Sequence, residues 1–576
     1  MTFIFLTRLS FITENLTKTA LRKRGRFCLS RIENYVMSGC LLSFVHGNVK
    51  YCCARLTDAG IYDTMFTASQ KDSKYPKKEE KEKKKMKRKL SLSLALMLLA
   101  LTAAQAVACG DSTDKKGNDT TASSSGNETT TAEETTAKSL LDNLGDQDFG
   151  GRTFTFFDAN GNPAAHVNIP ADEETGETIN DLLYQRDSVI EDKYNVKLDY
   201  VQIANANDGC AALKNSVLAG DNDYDFVMSN LMSGGLGAIA TDGVLANLLD
   251  TPYLSLSDKW WSHYMYDNLQ LEGRMYYTTG DITPTLYQMP ACVYINRSLL
   301  DKYNIDTNFY ELVTTGKWTV DELYSLTRDK DEDLNQDGVM SDQDDFFGFA
   351  PQMQTLMTES LLVGAGVDLS GLNADKTDIV LDFSGERTQN VFTKLQQVVP
   401  HNITFEGYSV DTGKVFSEDR ALVTMHFVEK AINTFRSMNS DYYILPVPKY
   451  DEAQDGYRSF VNAWINAFSA IPANADLEFS GFITEALARY SYEVIRPRAY
   501  DITYKAKATR DDESAEMLDI VFDNVYLDFN AIYDFSGMMN AFNSVLVDQT
   551  PLASTLASKL TSAQTQAEKL VQNWVD

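Results

Sequence analysis

The chain has 576 residues, with 52 Lys and Arg against 81 Asp and Glu, and a net charge of −29 at pH 7. So acidic a protein lacks the basic surface that binding to nucleic acid requires, and anionic lipid would repel it. The region from about residue 150 to the C-terminus has room for two domains of ~150–200 residues each.

Residues 86–110 have the pattern of a secretory signal. Three basic residues precede an uncharged, Leu/Ala-rich run that ends in small residues directly before Cys109. This order is typical of a signal peptide, and the run is at the short edge of the ~20 residues that a transmembrane anchor needs. The end of the run resembles a bacterial lipobox, with Ala106 where Leu is usual. The resemblance implies that residues 86–108 are a lipoprotein signal peptide and that Cys109 is diacylated.

The signal peptide also determines how the N-terminal region is interpreted. Because a signal must be N-terminal, Met86 is predicted to be the true start and residues 1–85 a translated leader, the alternative being a basic cytoplasmic extension. Residues 109–149, rich in Ser and Thr, predict a disordered tether. After processing, 32 basic and 73 acidic residues would remain, a net charge of −41, with three cysteines. The two that are not lipidated, Cys210 and Cys292, could pair or stay free, so disulfides do not build the fold.

Strands alternate with helices after the tether. Residues 152–157, 195–200 and 223–230 are predicted to include strands, and residues 178–194 and 208–219 carry apolar positions at helical spacing. Alternation of this kind predicts a mostly parallel sheet, with ligands at the carboxyl ends of its strands.

Residues 283–302 resemble the signature of the extracellular solute-binding proteins of ABC transporters, in the family that binds sugars and oligosaccharides. In that family an apolar strand crosses between lobes and ends in an aromatic-Asn pair, followed by a helix with a basic residue. The matching residues here are Val293, Tyr294, Asn296, Leu300 and Lys302, while Ile295 stands where the family usually has Tyr.

Further stretches carry the same resemblance. Residues 315–323 are similar to a Trp-Thr-x-Asp-Glu-Leu motif of the family, in which Thr319 is a natural N-cap and Glu322, three residues on, completes a capping box. Residues 460–468 resemble its return crossover, and 471–476, 485–487 and 510–518 its C-terminal part. The resemblance covers residues 150–576.

The resemblance implies the fold class: α/β, periplasmic-binding-protein-like, with two α/β lobes, a hinge and a ligand cleft. Lobe one is expected at residues 150–290 and 463–500, and lobe two at 297–460 and 505–576. Closure of the lobes about the hinge would be the functional motion.

Candidate ligand-binding residues lie at strand ends and crossovers. Sugars need planar hydrogen-bonding side chains for their hydroxyls and aromatic faces for their CH patches. The candidates are Asp158, Asn160, Asn230, Asp281, Tyr287, Gln288 and His426, with Trp260, Trp261, Tyr264, Trp464 and Tyr500 as aromatic platforms. The alternative for each aromatic is packing in the core, and for His426 a satisfied structural role. Trp464 is the preferred platform, because it lies in the segment that resembles the return crossover.

A separate motif predicts a calcium site. Oxygen donors recur at the positions of an EF-hand loop, with Gly338 in the sixth place and Asp344 where Glu is usual. The predicted ligands are Asp333, Asn335, Asp337, the carbonyl of Val339, Ser341 and Asp344. Calcium would be a structural cofactor, and the alternative is an acidic solvated turn.

The sequence does not predict an enzyme. It has no GxSxG, HExxH, P-loop or GxGxxG motif in a suitable context. A glycosidase needs only two carboxylates, so a secreted carbohydrate-active enzyme stays as one alternative, and a lipoprotein with a sensor or adhesion role as another. The preferred interpretation is a monomeric, lipid-anchored receptor on the outer face of the cytoplasmic membrane, in a bacterium that is Gram-positive. It would deliver a carbohydrate to an ABC permease.

Overall fold

The computed structural model describes residues 40–45, 48–57, 60–66, 139–159, 169–203, 205–232, 234–399, 411–505 and 512–575. The chain forms two compact units, Met1–Thr131 and Ala132–Asp576. The predictions for the signal peptide, for Cys109 and for Asn160 lie outside the described residues, as does most of the tether. They stay predictions.

The first unit contains a small sheet that the sequence analysis did not foresee. Its strands are β1 (Cys40–Val45), β2 (Asn48–Thr57) and β3 (Gly60–Phe66). They pair antiparallel in chain order, with β2 in the centre. The prediction that residues 1–85 are a leader is not tested by this sheet.

The second unit contains the remaining strands and all the helices named here. The strands are β4 (Arg152–Asp158), β5 (Val196–Gln202), β6 (Phe226–Ser229), β7 (Ala291–Asn296), β8 (Phe347–Phe349), β9 (Ser370–Leu372), β10 (Ile379–Leu381), β11 (Ala421–Phe427), β12 (Tyr442–Pro446), β13 (Ser459–Phe460), β14 (Phe468–Ala470) and β15 (Val525–Tyr526). The helices are α1 (Leu140–Leu144), α2 (Thr178–Tyr194), α3 (Ala206–Ala219), α4 (Leu236–Ile239), α5 (His263–Asn268), α6 (Arg297–Lys302), α7 (Phe309–Thr314), α8 (Val320–Thr327), α9 (Thr355–Gly364), α10 (Glu386–Val398), α11 (Thr412–Ser417), α12 (Glu429–Ile432), α13 (Leu477–Tyr490), α14 (Arg496–Lys505), α15 (Asp512–Asp523), α16 (Phe529–Tyr533), α17 (Met538–Val547) and α18 (Leu552–Val575).

One four-stranded sheet, the first sheet, has the order β14-β6-β4-β5. Strands β5, β4 and β6 are parallel, and β14 joins the edge antiparallel. Phe154, Phe156 and Phe157 of β4 are all buried, as expected for a central parallel strand that is covered on both faces. The parallel part of this sheet confirms the prediction from the alternation of strands and helices.

The other four-stranded sheet, the second sheet, has the order β12-β7-β11-β8. Strand β7 is antiparallel to both neighbours, and only β8 and β11 are parallel. The alternation that predicts a mostly parallel sheet covers only residues 152–230, so it did not predict that β7 runs opposite to the two strands that flank it. Two separate mixed sheets covered by helices nevertheless confirm the predicted α/β class.

Local sequence signals explain several boundaries. Helix α2 occupies the residues predicted, and Asn195 ends it in the left-handed conformation with φ of 49°. The Thr319 side chain accepts a hydrogen bond from the Glu322 backbone N–H at 3.4 Å, which confirms the predicted N-cap of α8. Asn296 of the signature caps α6 through its Oδ1 and donates to Asp419 at 2.7 Å.

Two segments of chain join the sheets. Residues 283–290 lead from the first-sheet region into β7, and residues 461–467 lead from β13 back to β14. The segments touch, because Asn462 N–H donates to the Met289 carbonyl at 3.1 Å. Strand β13 pairs with β15, so the return segment starts beside the C-terminal part of the chain. The expected lobe boundaries are not tested further and stay predictions.

The cysteines of this unit do not pair. Cys210 on α3 and Cys292 on β7 are both free and buried. Burial raises the pKa of the Cys210 thiol to about 11 and that of Cys292 to about 12.

Among the described helices, none is long and apolar enough to cross a membrane. Ala132–Asp576 buries an extensive core of its own, the property by which a domain folds independently.

Candidate functional site

The return segment presents one exposed tryptophan. Four of the five tryptophans of the chain are between 0 and 5% exposed, whereas Trp464 is 47% exposed. The Oδ1 atom of Asn462 accepts from the backbone N–H groups of Trp464 and Ile465, at 3.0 and 3.2 Å. This turn fixes the backbone that carries the indole. An ordered, open aromatic surface at a segment joining two sheets can accept the apolar face of a ligand.

The carboxyl edge of the first sheet adjoins this turn. Asn230 follows β6, and its Nδ2 donates to the Trp464 carbonyl at 3.0 Å. Its Oδ1 lies against Gly235, where an added Cβ would approach it to 2.1 Å, so glycine is needed there. Asn230 was predicted to contact ligand, but the amide is 6% exposed and is engaged with the backbone of the return segment. Its evident role is to position Trp464.

Asp158 ends the central strand of the same sheet. Its carboxylate is buried and accepts a hydrogen bond from Gln202 Nε2 at 2.9 Å, across the neighbouring strand β5. Because β4 and β6 are parallel, Asp158 and Asn230 lie at the same edge of the sheet, as expected. The structure therefore brings Asp158, Asn230 and Trp464 to one edge.

Trp260 and Trp261 occupy a different environment. The two indole N–H groups donate to the two carboxylate oxygens of Glu485 on α13, each at 3.0 Å. Glu485 also accepts from Arg489 Nε at 2.9 Å, and the Arg489 guanidinium lies 4.6 Å from the Trp260 ring centre. Both indoles are at most 5% exposed. Their faces and N–H groups are used inside the protein, which favours the alternative of packing in the core over an open platform.

Three further candidates meet in a buried ionic cluster. Tyr287 O–H donates to Asp281 at 2.7 Å, and Arg496 lies 3.7 Å from the other oxygen of that carboxylate. Burial raises the pKa of Asp281 to about 6, and Arg496 and Tyr287 partly offset that effect. Tyr500 O–H donates to Asp519 at 2.6 Å. Asp281 and Tyr287 are each 2% exposed, so they are not presented to a ligand in this structure, whereas Tyr500 is partly exposed and its ligand contact stays a prediction.

His426 is also internal. Its Nε2 shares a hydrogen bond of 2.8 Å with the Thr412 hydroxyl, and the residue is 3% exposed. Burial, together with the charge of Lys430, lowers the pKa of His426 to about 3, so the ring is neutral at ordinary pH. This favours the structural role over the ligand contact.

Two further candidates lie elsewhere. Gln288, at the end of the segment before β7, is partly exposed, and its contact with ligand stays a prediction. Tyr264 packs edge to face on Tyr526, with ring centres 5.6 Å apart.

The predicted calcium loop is held by hydrogen bonds from its own backbone to its side chains. Asp333 accepts from the backbone N–H groups of Gln336 and Gly338, at 2.7 and 2.8 Å, and Gly338 has φ of 82°. Asn335 Nδ2 donates to Asp337 and Asp344, at 3.2 and 3.0 Å.

The oxygen donors of this loop fit the chemistry of calcium, which prefers carboxylate and amide oxygens. Among the described residues, however, no group of three or more His, Cys, Asp or Glu side chains is gathered closely enough to hold a metal. The amide of Asn335 sits between two of the carboxylates instead. Calcium binding therefore stays a prediction.

The sequence analysis missed two residues that organise these clusters. Glu485 serves two tryptophans that lie 225 and 224 residues away, and Arg496 joins Asp281 to α15. Glu485 begins a Glu-Ala-Leu stretch that resembles the family, but that stretch assigns no role to its carboxylate. Arg496 has no local motif, and a charged residue within a helix does not name its partner.

No protein-family model and no curated protein matches the chain. Among solved structures, it is similar to the ABC substrate-binding protein Lmo0181 from Listeria monocytogenes in complex with cycloalternan. The TM-score is 0.44 and the identity 14%, over 73% of this chain and 99% of that one. It is also similar to the GacH receptor of Streptomyces glaucescens, described unliganded and with acarbose and an acarbose homolog. That match has a TM-score of 0.42 and an identity of 16%, over 74% of this chain and 99% of the receptor.

Proposed function

We propose that this chain is a solute-binding protein that captures a sugar or oligosaccharide at the carboxyl edge of the first sheet, against Trp464. The observation that supports the proposal is the 47% exposure of Trp464, the one open indole among five, on a turn that Asn462 and Asn230 hold in place. The ligand would be captured between the two helix-covered sheets, which residues 283–290 and 461–467 join.

The chemistry of the edge suits a carbohydrate. The indole face would receive the CH patch of a pyranose ring, because the face of an aromatic ring is apolar and carries partial negative charge. Asp158 and Asn230 are buried and engaged with protein groups, so the few hydrogen bonds that orient the ligand would come from other polar groups beside the indole. Binding of this kind requires no covalent chemistry, and the protein is proposed to release the same molecule that it takes up.

A thermal-shift screen tests the ligand class. The Ala132–Asp576 unit would be heated with single mono- and oligosaccharides, and with amino acids and short peptides as the comparison set. A ligand that binds only the folded state raises Tm. It stabilises the folded state by about 2.7 kcal/mol when the free ligand concentration is one hundred times Kd. A shift with a saccharide supports the proposal. A shift with a peptide alone overturns the carbohydrate class, and a saccharide that is hydrolysed during incubation indicates an enzyme instead.

We further propose that the ligand passes to an ABC permease and that Cys109 anchors the protein to the membrane by a lipid. The lipobox-like sequence and the Ser/Thr-rich segment after it support the anchor. The full chain, expressed in a Gram-positive host, should partition into detergent and incorporate labelled fatty acid. Cys109→Ala should lose both properties, and a variant that still carries the label would contradict the anchor.

We also propose that the loop at residues 333–344 binds calcium as a structural ion. The donors would be the side chains of Asp333, Asn335, Asp337, Ser341 and Asp344 with the carbonyl of Val339, and the wrapping of Asp333 around Gly338 supports this. Calcium would supply positive charge between these oxygens.

Isothermal calorimetry with calcium tests this second proposal. Asp337→Asn should weaken calcium binding, while Asp342→Asn should not, because Asp342 is adjacent in the chain but outside the ligand spacing. Equal binding by the two variants, or no heat with the unaltered protein, would contradict the proposal.

A further inference from the structure

Helices α14 and α15 connect the surroundings of the two sheets. Helix α13, which continues through a π-helical turn at Ser491–Ile495 into α14, packs on the first sheet, with the Phe479 ring 5.8 Å from that of Phe154. Leu518 and Val521 of α15 share an apolar core with Tyr442 and Ile444 of β12 in the second sheet. Contacts between α14 and α15 therefore join the two sheets.

A single arginine lies at this junction. Arg496, the first residue of α14, has a side chain that is 7% exposed. Its guanidinium donates to Asp523 of α15 and lies 3.5 Å from Asp519. Its Nε donates to the Tyr500 hydroxyl, which donates in turn to Asp519 at 2.6 Å. We call Arg496 and Tyr500, with Asp519 and Asp523, the clasp.

The two sides of the clasp differ in exposure. Asp519 and Asp523 are 52 and 55% exposed, so their carboxylates are already partly hydrated. Separating them from Arg496 therefore costs little free energy on their side. Arg496 is buried, but it keeps a counterion when the two carboxylates of α15 separate from it, because Asp281 lies 3.7 Å away on the first-sheet side. Asp281 is held in turn by Tyr287 at 2.7 Å. Opening the clasp therefore leaves no buried charge without a partner, and this removes the penalty that makes most buried ion pairs hard to break.

Aromatic packing supports the same junction. The Tyr500 ring is stacked on that of Phe522, with centres 5.5 Å apart, and Tyr287 meets Phe522 edge to face at 5.8 Å. The stack keeps the two helices in register while the charged groups separate. An apolar pivot beside a releasable ionic contact is suited to a hinge motion in which packed elements move by small amounts.

We propose that the clasp is a releasable ionic contact that biases the two sheets toward the relative orientation seen in this structure, and that its release permits a second orientation. Each ion pair contributes only a small bias, so both orientations are populated. A ligand held at the carboxyl edge of the first sheet would shift this equilibrium by its difference in affinity for the two orientations.

Spin-label distances test the clasp without any ligand. The Ala132–Asp576 unit would carry labels at Leu218→Cys on α3 and Asn439→Cys beside β12, both exposed positions. The native thiols of this unit, Cys210 and Cys292, are buried with raised pKa values and should not react. Double electron–electron resonance would be recorded for the parent, for Asp519→Asn with Asp523→Asn, and for Arg498→Met. Arg498 is the matched control, because it pairs with Asp501 on the exposed face of the same helix.

The double Asn variant should populate a second distance, with the ratio of the two orientations changed about two- to fivefold for each carboxylate lost. The Arg498 control should match the parent. Raising NaCl from ~0.05 to ~1 M should shift the parent in the same direction, because screening weakens the partly exposed pairs. The salt arm requires no mutation and remains informative if a variant does not fold. A single, unchanged distance in the folded double variant and at high salt would overturn the clasp.

Discussion

The surroundings of Trp260 and Trp261 differ from those of Trp464 in a way that residue type does not reveal. The first two indoles are at most 5% exposed, and both donate to Glu485. Trp464 has its backbone in hydrogen bonds and 47% of its surface in solvent. In the first region the indole rings themselves make contacts that stabilise the fold. In the second region only the backbone of the tryptophan makes such contacts. An aromatic side chain is a candidate platform when its own polar and apolar surfaces are not already used.

The largest expected effect comes from removing the carboxylate of the first region. Glu485→Ala leaves two buried indole N–H groups and the Arg489 guanidinium without their acceptor, and should lower the free energy of unfolding by about 3–5 kcal/mol. Urea unfolding measures this. The control is Glu478→Ala, an exposed residue of the same helix, which should stay within about 0.5 kcal/mol of the parent. Equal stability of the two variants would mean that Glu485 does not organise the tryptophan pair.

Alanine substitutions at the two kinds of tryptophan should have opposite effects on stability and on binding. Trp261→Ala removes a buried ring and should cost about 3–5 kcal/mol of stability. Trp464→Ala should leave stability nearly unchanged and weaken saccharide binding about tenfold or more, the effect of losing an interface tryptophan. Calorimetry and urea unfolding on both variants test this. Loss of binding in a folded Trp261 variant, with none in the Trp464 variant, would reverse the assignment.

The same contrast applies to buried carboxylates. Glu485 accepts four hydrogen bonds, whereas Glu359 on α9 accepts one, from Asn530 at 3.4 Å, and its other oxygen has no partner among the described residues. Burial, followed by the charges of Asp528 and Asp534, raises the pKa of Glu359 well above its usual value. The folded state therefore holds a proton that the unfolded chain gives up near pH ~4.3, and stability falls as pH rises above that value.

Glu359→Gln keeps the shape of the neutral acid and removes this titration. At pH ~8 it should be about 1–3 kcal/mol more stable than the parent, and near pH ~4 the two should agree. Chemical unfolding across this range gives the comparison, with the exposed Glu386→Gln as control. A parent whose stability does not fall toward alkaline pH relative to the variant would contradict a neutral Glu359.

The smallest effect concerns fluorescence. With four of five tryptophans buried, acrylamide should quench a minor fraction of the emission, and Trp464→Phe should remove that fraction without altering the rest. Quenching that persists in the Trp464→Phe variant would show that another indole is accessible in solution.

Sequence reasoning succeeded where the cause of a structure is local. The period of apolar residues predicts α2, and Thr319 with Glu322 predicts the start of α8, because these signals act within a few residues. It did not decide between ligand contact and burial for Trp260, Trp261 and His426, since burial depends on distant partners such as Glu485 and Thr412. Arg496 escaped notice for the same reason: its three carboxylates come from two segments, α15 and the stretch before β7, that are distant from each other in sequence. A motif placed Trp464 on a crossing segment, where the structure leaves it exposed, and its contact with ligand stays a prediction.

The most direct test of the central claim is a saccharide titration that follows acrylamide quenching of Trp464 in the Ala132–Asp576 unit. The account predicts that the saccharide found by thermal shift protects the accessible indole from acrylamide with the same Kd that calorimetry gives, and that Trp464→Ala loses this binding while it stays folded. A saccharide that binds with unchanged affinity to the Trp464→Ala variant, and leaves Trp464 of the parent fully quenchable, would contradict the assignment of this turn as the ligand site.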